Sequence, residues 1–134
     1  MTDMLSPSTR ILVIDDDPDL LVLLSKMLAR VGASTQTAET GAEGLDLLKR
    51  EHFDLLILDL MLPDIDGYDV LARIREDRAL DGMPILIMSA RADPEAISKG
   101  LALGADGYLT KPYLPNTLTS RVRALLAQGR RPAG

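Results

Sequence analysis

The sequence predicts an α/β fold in which a five-stranded parallel sheet carries helices on both of its faces. Two observations support this prediction. Short apolar runs alternate five times with longer segments of helical periodicity, and this alternation is typical of β-α units joined by right-handed crossovers. Three of the runs are continuously apolar, as expected for parallel strands that are covered on both faces.

The first, third and fourth strand candidates are the strongest, because each is an uninterrupted apolar run with the length of a buried strand. They are Ile11–Ile14, Leu55–Leu58 and Ile85–Met88. The second and fifth candidates, Ser34–Ala38 and Gly107–Thr110, contain more polar and small residues. They are included because each lies between two segments of helical periodicity.

Five helix candidates follow the five strands. The first has Asp17 as its N-cap and Pro18 at its first helical position. The second begins with a capping box that pairs Thr40 with Glu43. In all five, apolar residues recur at the spacing that forms one helix face. The remaining three are predicted to begin at or near Asp66, Asp93-Pro94 and Pro115.

The length of 134 residues fits one domain, which we predict to span residues 10–128. Residues 1–9 are expected to form a flexible N-terminal tail, and residues 129–134 a C-terminal tail or the start of a linker. The chain contains no cysteine, which excludes a disulfide framework and a thiolate metal site.

The composition argues against nucleic-acid binding by this domain, because the net charge is -5 and the sequence pI about 4.8. One Phe, three Tyr and no Trp leave little for a base-stacking surface. No apolar run approaches the ~20 residues of a membrane span, and residues 1–9 lack the apolar core of a secretory signal. We therefore expect a cytoplasmic protein without membrane contact.

Five polar side chains follow or end strand candidates. They are Asp15, Asp16, Asp59, Ser89 and Lys111. Because the carboxyl ends of parallel strands meet at one edge of the sheet, we expect these side chains to lie together there.

Clustered carboxylates repel one another and raise each other's pKa values, whereas a divalent cation keeps them ionised. Mg²⁺ suits a site with few carboxylates, since it retains water and phosphate oxygens as ligands. A calcium loop beginning at Asp15 is excluded, because Leu20 and Lys26 stand where Gly and Glu are required. Asp17 is interpreted as a helix cap only.

Lys111 beside such a cluster supplies a mobile positive charge that matches phosphate, and the Ser89 hydroxyl can donate to an oxyanion. Taken singly, the lysine could be a surface residue and the serine a turn residue. Together with a carboxylate nucleophile they predict a phosphoryl-transfer site. The chain has no Gly-rich phosphate loop, so nucleotide binding through such a loop is not expected.

The chain resembles the receiver domain of two-component response regulators over nearly its whole length. The resemblance rests on four motifs in a specific order and spacing: Ile11-Leu12-Val13-Ile14-Asp15-Asp16-Asp17-Pro18, Asp59-Leu60-Met61-Leu62-Pro63-Asp64-Ile65-Asp66-Gly67, Ser89-Ala90 and Gly104-Ala105-Asp106-Gly107-Tyr108-Leu109-Thr110-Lys111-Pro112-Tyr113. It implies a flavodoxin-like, doubly wound sheet with strand order 2-1-3-4-5.

The resemblance also implies roles for residues of the acidic site. Asp59 would be the phosphoacceptor that forms an aspartyl phosphate. Asp15 and Asp16 would be the acids of the Mg²⁺ site, with Asp16 favoured as the direct ligand. The main-chain carbonyl of Met61 would complete the protein ligands, and Lys111 would pair with the phosphoryl group.

For the switch, the resemblance implies that the Ser89 hydroxyl moves toward the phosphate while the ring of Tyr108 turns inward. It also implies a cis peptide between Lys111 and Pro112. The implied function is a phosphorylation-activated signalling switch, which assists its own phosphorylation and dephosphorylation but is not otherwise an enzyme.

The implied partners are a histidine kinase or phosphotransfer protein, and an output protein or domain at the face of the fourth helix, fifth strand and fifth helix. A phosphorylation-dependent homodimer would use charges on that same face. Lys99, Asp106 and Arg121 fit this charge pattern, but Gly107 and Thr117 replace the usual acids. The expected ion-pair network is therefore incomplete.

Two alternative classes share features with this prediction. A metal-dependent phosphatase could use the same acids, but it would need a cap or substrate pocket for which the chain leaves little length. A flavin-binding module could share the five-stranded fold. Its first loop should be rich in Ser, Thr or Gly, whereas this chain has three consecutive acids there.

Overall fold

The computed structural model describes residue 5 and residues 8–130. Its strands are β1 (Arg10–Ile14), β2 (Ser34–Ala38), β3 (Leu55–Asp59), β4 (Ile85–Ser89) and β5 (Gly107–Thr110). Its α-helices are α1 (Pro18–Arg30), α2 (Gly41–Arg50), α3 (Gly67–Glu76), α4 (Pro94–Ala102) and α5 (Pro115–Gln128). A short 3-10 helix, Arg78–Leu80, lies between α3 and β4 and was not predicted.

The five strands form one parallel sheet in the order β2-β1-β3-β4-β5. The predicted fold class and strand order are therefore confirmed. Successive side chains of the three central strands, β1, β3 and β4, alternate between two buried clusters. One cluster contains Leu12 and Leu56 with residues of α2 and α3, and the other contains Ile11 and Leu55 with residues of α1 and α5.

The predicted helix starts have the expected caps. Asp17 accepts hydrogen bonds from two backbone N–H groups of α1, and Thr40 accepts one from Glu43. The first turns of α3 and α4 are capped in the same way by Asp66 and Asp93. These side chains satisfy N–H groups that have no partner within the helix, which explains why the starts could be predicted.

The predicted tails lie partly outside the described residues, which do not include 1–4, 6–7 and 131–134. Of the N-terminal segment, Leu5 donates its N–H to the carbonyl of Val31. Of the C-terminal segment, Gly129 donates to Leu125. Among the residues that the structure describes, every helix is too short or too polar to cross a lipid bilayer.

Candidate functional site

Three carboxylates meet at the carboxyl edge of the sheet. Asp59 is the last residue of β3, while Asp15 and Asp16 directly follow β1. Because β1 and β3 are adjacent, with Ile14 in register with Leu58, the residues that follow are also neighbours. Asp15, Asp16 and Asp59 each offer an oxygen, and these oxygens lie within 4.8 Å of one another. The predicted convergence is confirmed.

The three acids differ in exposure. Asp15 is fully buried, whereas Asp16 is exposed. One oxygen of Asp15 accepts the N–H of Asp17 at 2.9 Å, and the other accepts Lys111 Nζ at 2.9 Å. Asp15 is thus held from two sides, while the carboxylate of Asp16 faces the solvent side of the cluster.

Asp59 is 5% exposed, and this environment disfavours its charge. Burial raises the pKa of Asp59 above its ordinary value of 3.8, and the negative charge of Asp15 adds to this rise. The hydrogen bond from the N–H of Met61, at 3.2 Å, and the charge of Lys111 act in the opposite direction. The pKa of Asp59 is raised overall, so a further positive charge nearby would stabilise its ionised form.

Lys111 is the cation of the cluster. Its Nζ lies 2.9 Å from Asp15 Oδ2 and 3.4 Å from Asp59 Oδ2. Burial lowers the pKa of Lys111, but the hydrogen bond from its ammonium to Asp15 and the charge of Asp59 outweigh this effect and leave the pKa raised. Lys111 is therefore charged between two acids, as the sequence predicted.

Ser89 ends β4 beside this cluster and is fully buried. Its Oγ accepts the N–H of Arg91 at 3.2 Å, and its carbonyl accepts the N–H of Lys111 at 2.8 Å. The peptide bond between Lys111 and Pro112 is cis, as predicted. The second predicted switch residue, Tyr108, donates its hydroxyl to the carbonyl of Arg91 at 2.8 Å.

The loop after β3 carries Met61, a residue that is 61% exposed and whose N–H donates to Asp59. Asp64 fastens this loop to α2, because its two carboxylate oxygens accept the N–H groups of Gly41 and Ala42 at 2.8 and 2.9 Å. These hydrogen bonds lower the pKa of Asp64. No local pattern in the sequence predicts this role of Asp64, since its partners lie 22 and 23 residues away along the chain.

A glycine allows α3 to begin close to the end of β3. A Cβ on Gly67 would lie 2.7 Å from the carbonyl oxygen of Leu60 and 2.8 Å from that of Asp59. Both contacts involve backbone atoms, which cannot move aside easily. Gly67 therefore lets the loop that carries Met61 close tightly, with the Gly67 N–H bonded to Leu60 at 2.9 Å.

Asp106, one of the residues that fit the charge pattern of the expected dimer face, is bound inside the domain in this structure. Its side chain is 0% exposed and lies 2.9 Å from the guanidinium of Arg75 and 3.4 Å from that of Arg130. It also accepts the N–H of Ile85 at 2.9 Å. Asp106 therefore balances charge inside the domain, because a buried carboxylate requires such partners.

The sequence model of the response regulator receiver domain matches residues 11–123. The chain therefore belongs to the response regulator receiver domain family, whose members are signalling domains of two-component systems. Family membership favours the receiver interpretation over the phosphatase and flavin-binding alternatives.

Relatives and solved structures agree with this assignment. The chain is 41% identical over 121 residues to the transcriptional regulatory protein AfsQ1 of Streptomyces coelicolor, covering 90% of this chain and 52% of that protein. It is 40% identical over 120 residues to CusR of Escherichia coli, again covering 90% and 52%. The chain thus spans about half the length of these curated relatives.

Two receiver-domain structures have the same fold. A CheY-like receiver domain from Methanospirillum hungatei superposes with a TM-score of 0.84 at 32% identity, covering 90% of this chain and 94% of that one. The BeF3-activated receiver domain of DrrB superposes with a TM-score of 0.80 at 35% identity, covering 90% and 98%.

The donor set of the acidic cluster fits a magnesium ion. It offers carboxylate oxygens, which Mg²⁺ prefers, and an exposed acid beside two buried ones. Among the described residues, these three acids form the cluster whose oxygens lie close enough together to share a cation. Asp15, Asp16 and Asp59 are the side chains that would hold it.

Proposed function

We propose that Asp59 accepts a phosphoryl group and that this event drives the receiver between two states. One observation carries the proposal: the buried carboxylate of Asp59 lies within reach of both another acid and a lysine. A buried carboxylate with a raised pKa is costly to keep charged, and two acids with a lysine at a sheet edge serve no evident packing purpose. Such a site is stabilised by a bound cation, which offsets the charge of the acids, or by a bound anionic group that pairs with the lysine.

The chemistry assigned to the chain's own residues is a phosphoryl transfer. A carboxylate oxygen of Asp59 attacks phosphorus, a P–O bond forms, and the P–N bond of the donor's phosphohistidine breaks. The donor imidazole leaves and takes up a proton. Lys111 then turns from the carboxylates toward the phosphoryl oxygens, and the Ser89 hydroxyl donates a hydrogen bond to one of them.

Magnesium bound by Asp15, Asp16, Asp59 and the carbonyl of Met61 would supply positive charge that offsets the phosphoryl oxygens. Because Lys111 and Ser89 lie beside Asp59, the domain assists its own phosphorylation and the slow hydrolysis of the aspartyl phosphate. Signalling, rather than turnover of a substrate, is the proposed role.

The proposed phosphodonor is a histidine kinase or a phosphotransfer protein. Large apolar side chains lie exposed in the first half of α1 and just before α5, on segments that follow the carboxyl ends of β1 and β5, and they offer apolar contact area for such a donor. Val22 and Leu23 are 55% and 52% exposed on α1, and Leu114 is 73% exposed just before α5. A donor protein that covers these side chains would contact the surface next to the edge of the sheet at which Asp59 ends β3.

The proposed output is read from the face formed by α4, β5 and α5. The relatives named above are transcriptional regulatory proteins about twice the length of this chain, so a DNA-binding segment is the output that they suggest. A homodimer through this face would lack the usual ion pairs, because Asp106 is bound within the domain and Gly107 and Thr117 carry no charge.

Incubation with acetyl phosphate and Mg²⁺, followed by intact-protein mass spectrometry, tests the proposal. The expected result is a gain of one phosphoryl group that disappears when Mg²⁺ is chelated beforehand. Asp59→Asn should abolish the gain, whereas Asp54→Asn, which changes an acid at the opposite edge of the sheet, should preserve it. A gain that survives Asp59→Asn, or no gain in the unsubstituted protein, contradicts the assignment.

A further inference from the structure

The first turn of α4 is held by a side chain from α3. Tyr68, the second residue of α3, donates its hydroxyl to the carbonyl of Ala96 at 3.1 Å. Tyr68 is 7% exposed and Ala96 1%, so water has little access to this hydrogen bond. Burial raises the pKa of Tyr68 above its ordinary value of 10.0, and the hydroxyl is therefore protonated and able to donate at neutral pH.

The ring of Tyr68 makes a second contact with the same helix. The ammonium of Lys99 lies 4.3 Å from the ring centroid, which is within the range of a cation–π interaction. Ala96 and Lys99 are three residues apart and so lie on one face of α4. Tyr68 thus binds this face through its hydroxyl and its ring.

The same buried face of α4 is also in contact with Tyr108. The Tyr108 hydroxyl binds the carbonyl of Arg91, just before the helix, and its ring lies beside Gly100. A Cβ on Gly100 would be 3.6 Å from a ring carbon of Tyr108 and 2.6 Å from Ile87. Two tyrosines from different elements therefore bind one short segment, with their acceptors at residues 91 and 96.

This segment is connected directly to the proposed phosphorylation site. Ser89 Oγ accepts the N–H of Arg91, so a movement of the Ser89 hydroxyl toward a phosphoryl group must release or displace Arg91. The Tyr68 hydroxyl binds the same segment at its other end, at the carbonyl of Ala96. The position of α4 then depends on both tyrosine hydroxyls.

We infer that Tyr68 is a positioning residue of the switch, whose hydroxyl holds the first turn of α4 where Tyr108 can reach Arg91. This inference rests on the proposed function, since it concerns the response to a phosphoryl group. Because both hydroxyls bind one segment, removing either hydroxyl reduces what the other contributes to the affinity for a phosphoryl mimic. Their contributions to phosphoryl-mimic binding are therefore coupled.

Tyr68→Phe is the informative substitution, because it keeps the buried ring and the Lys99 contact and removes only the hydroxyl. Beryllofluoride in the presence of Mg²⁺ serves as the phosphoryl mimic, and backbone amide NMR signals report its dissociation constant. We expect Tyr68→Phe to weaken binding about two- to tenfold, the range of one hydrogen bond. The double variant with Tyr108→Phe should lose clearly less than the product of the two single losses, and at least as much as the larger of them.

Ser25→Ala is the matched control. Ser25 Oγ donates to the carbonyl of Leu21 at 2.8 Å within α1, so the substitution also removes a hydroxyl-to-helix hydrogen bond but joins no two elements. Its beryllofluoride affinity should equal that of the unsubstituted protein.

Unchanged affinity in Tyr68→Phe, or losses that multiply in the double variant, would overturn the inference. A lower melting temperature with unaltered beryllofluoride affinity would do the same, because it would assign the hydroxyl a purely structural role. If the unsubstituted protein fails to bind beryllofluoride, the proposed function fails instead, and this outcome is distinct from the others.

Discussion

Lys111 lies closer to the buried Asp15 than to Asp59, with its Nζ 2.9 Å from Asp15 Oδ2 and 3.4 Å from Asp59 Oδ2. The lysine therefore compensates the fully buried acid first and leaves Asp59 only partly neutralised. Under the proposed function, this arrangement keeps Asp59 available as a nucleophile while Lys111 remains near enough to meet an incoming phosphoryl group.

Removing the lysine should destabilise the domain. Lys111→Met leaves Asp15 buried without its cation, and we expect a decrease in the free energy of unfolding of about 1–3 kcal/mol at pH 7 without Mg²⁺. Urea unfolding followed by circular dichroism measures this change. Lys26→Met, which removes the same charge from an exposed site on α1, should stay within about 0.5 kcal/mol. Equal effects in the two variants would contradict the role of Lys111.

Neutralising Asp59 should have the opposite effect. Because the pKa of Asp59 is raised in the fold, the folded state binds its proton more tightly than the unfolded state does. The stability contributed by the protonated form is present below the unfolded pKa of 3.8 and is lost as the pH rises through the folded pKa. Asp59→Asn removes this loss of stability at every pH, because the asparagine side chain does not ionise.

We therefore expect Asp59→Asn to stabilise the metal-free protein at pH 7, by about 1.4 kcal/mol for each unit by which the pKa is raised, and by less at pH 4. Parallel urea titrations at the two pH values give the comparison. A stabilisation that is larger at pH 4 than at pH 7 would reverse the predicted sign.

Magnesium should raise the stability of the folded domain. A cation that binds only the folded state adds about 2.7 kcal/mol at a concentration 100 times its dissociation constant, and chelation should remove this gain. Asp16→Asn should greatly reduce the gain, because it removes a carboxylate of the cluster. Asp17→Asn retains a side chain that caps helices well and serves as the control. Thermal melts with and without Mg²⁺ distinguish the two variants, and a similar gain in both would argue against Asp16 as a ligand.

The two arginines that bind Asp106 should differ in importance. Arg75 is 10% exposed, and burial, followed by the charge of Arg130, lowers its pKa to about 10. Breaking a buried ion pair on one side costs about 3–5 kcal/mol, and Arg75→Met should approach this range. Arg130 is 32% exposed and lies at a longer distance, so Arg130→Met should cost about 1 kcal/mol or less. Equal losses of unfolding free energy in the two variants would show that Arg75 is not the main partner of Asp106.

The fold was predictable from local patterns because parallel strands and covering helices have different hydrophobic periods. The three strong strand candidates each became a strand, and the helix caps Asp17 and Thr40 act as predicted. The 3-10 helix at Arg78–Leu80 was missed, since a single turn leaves no periodicity to detect.

The acidic site was predictable for a related reason. In a parallel sheet every strand ends at the same edge, so acids that follow separate apolar runs must approach one another. Asp15 and Asp59 are 44 residues apart in the chain, yet the register of β1 with β3 brings them together. Knowledge of the strand ends was sufficient to locate the site.

The sequence by itself therefore determined the layers, the strand ends and the identity of the acidic cluster, because these follow from periodicity and from the geometry of parallel strands. Only the tertiary structure decided that Asp106 pairs with Arg75, that Asp64 binds α2, and that Tyr68 holds α4. Such pairings join residues more than 20 positions apart. They depend on how two helices or loops pack and which rotamers fit between them, and no local pattern records that.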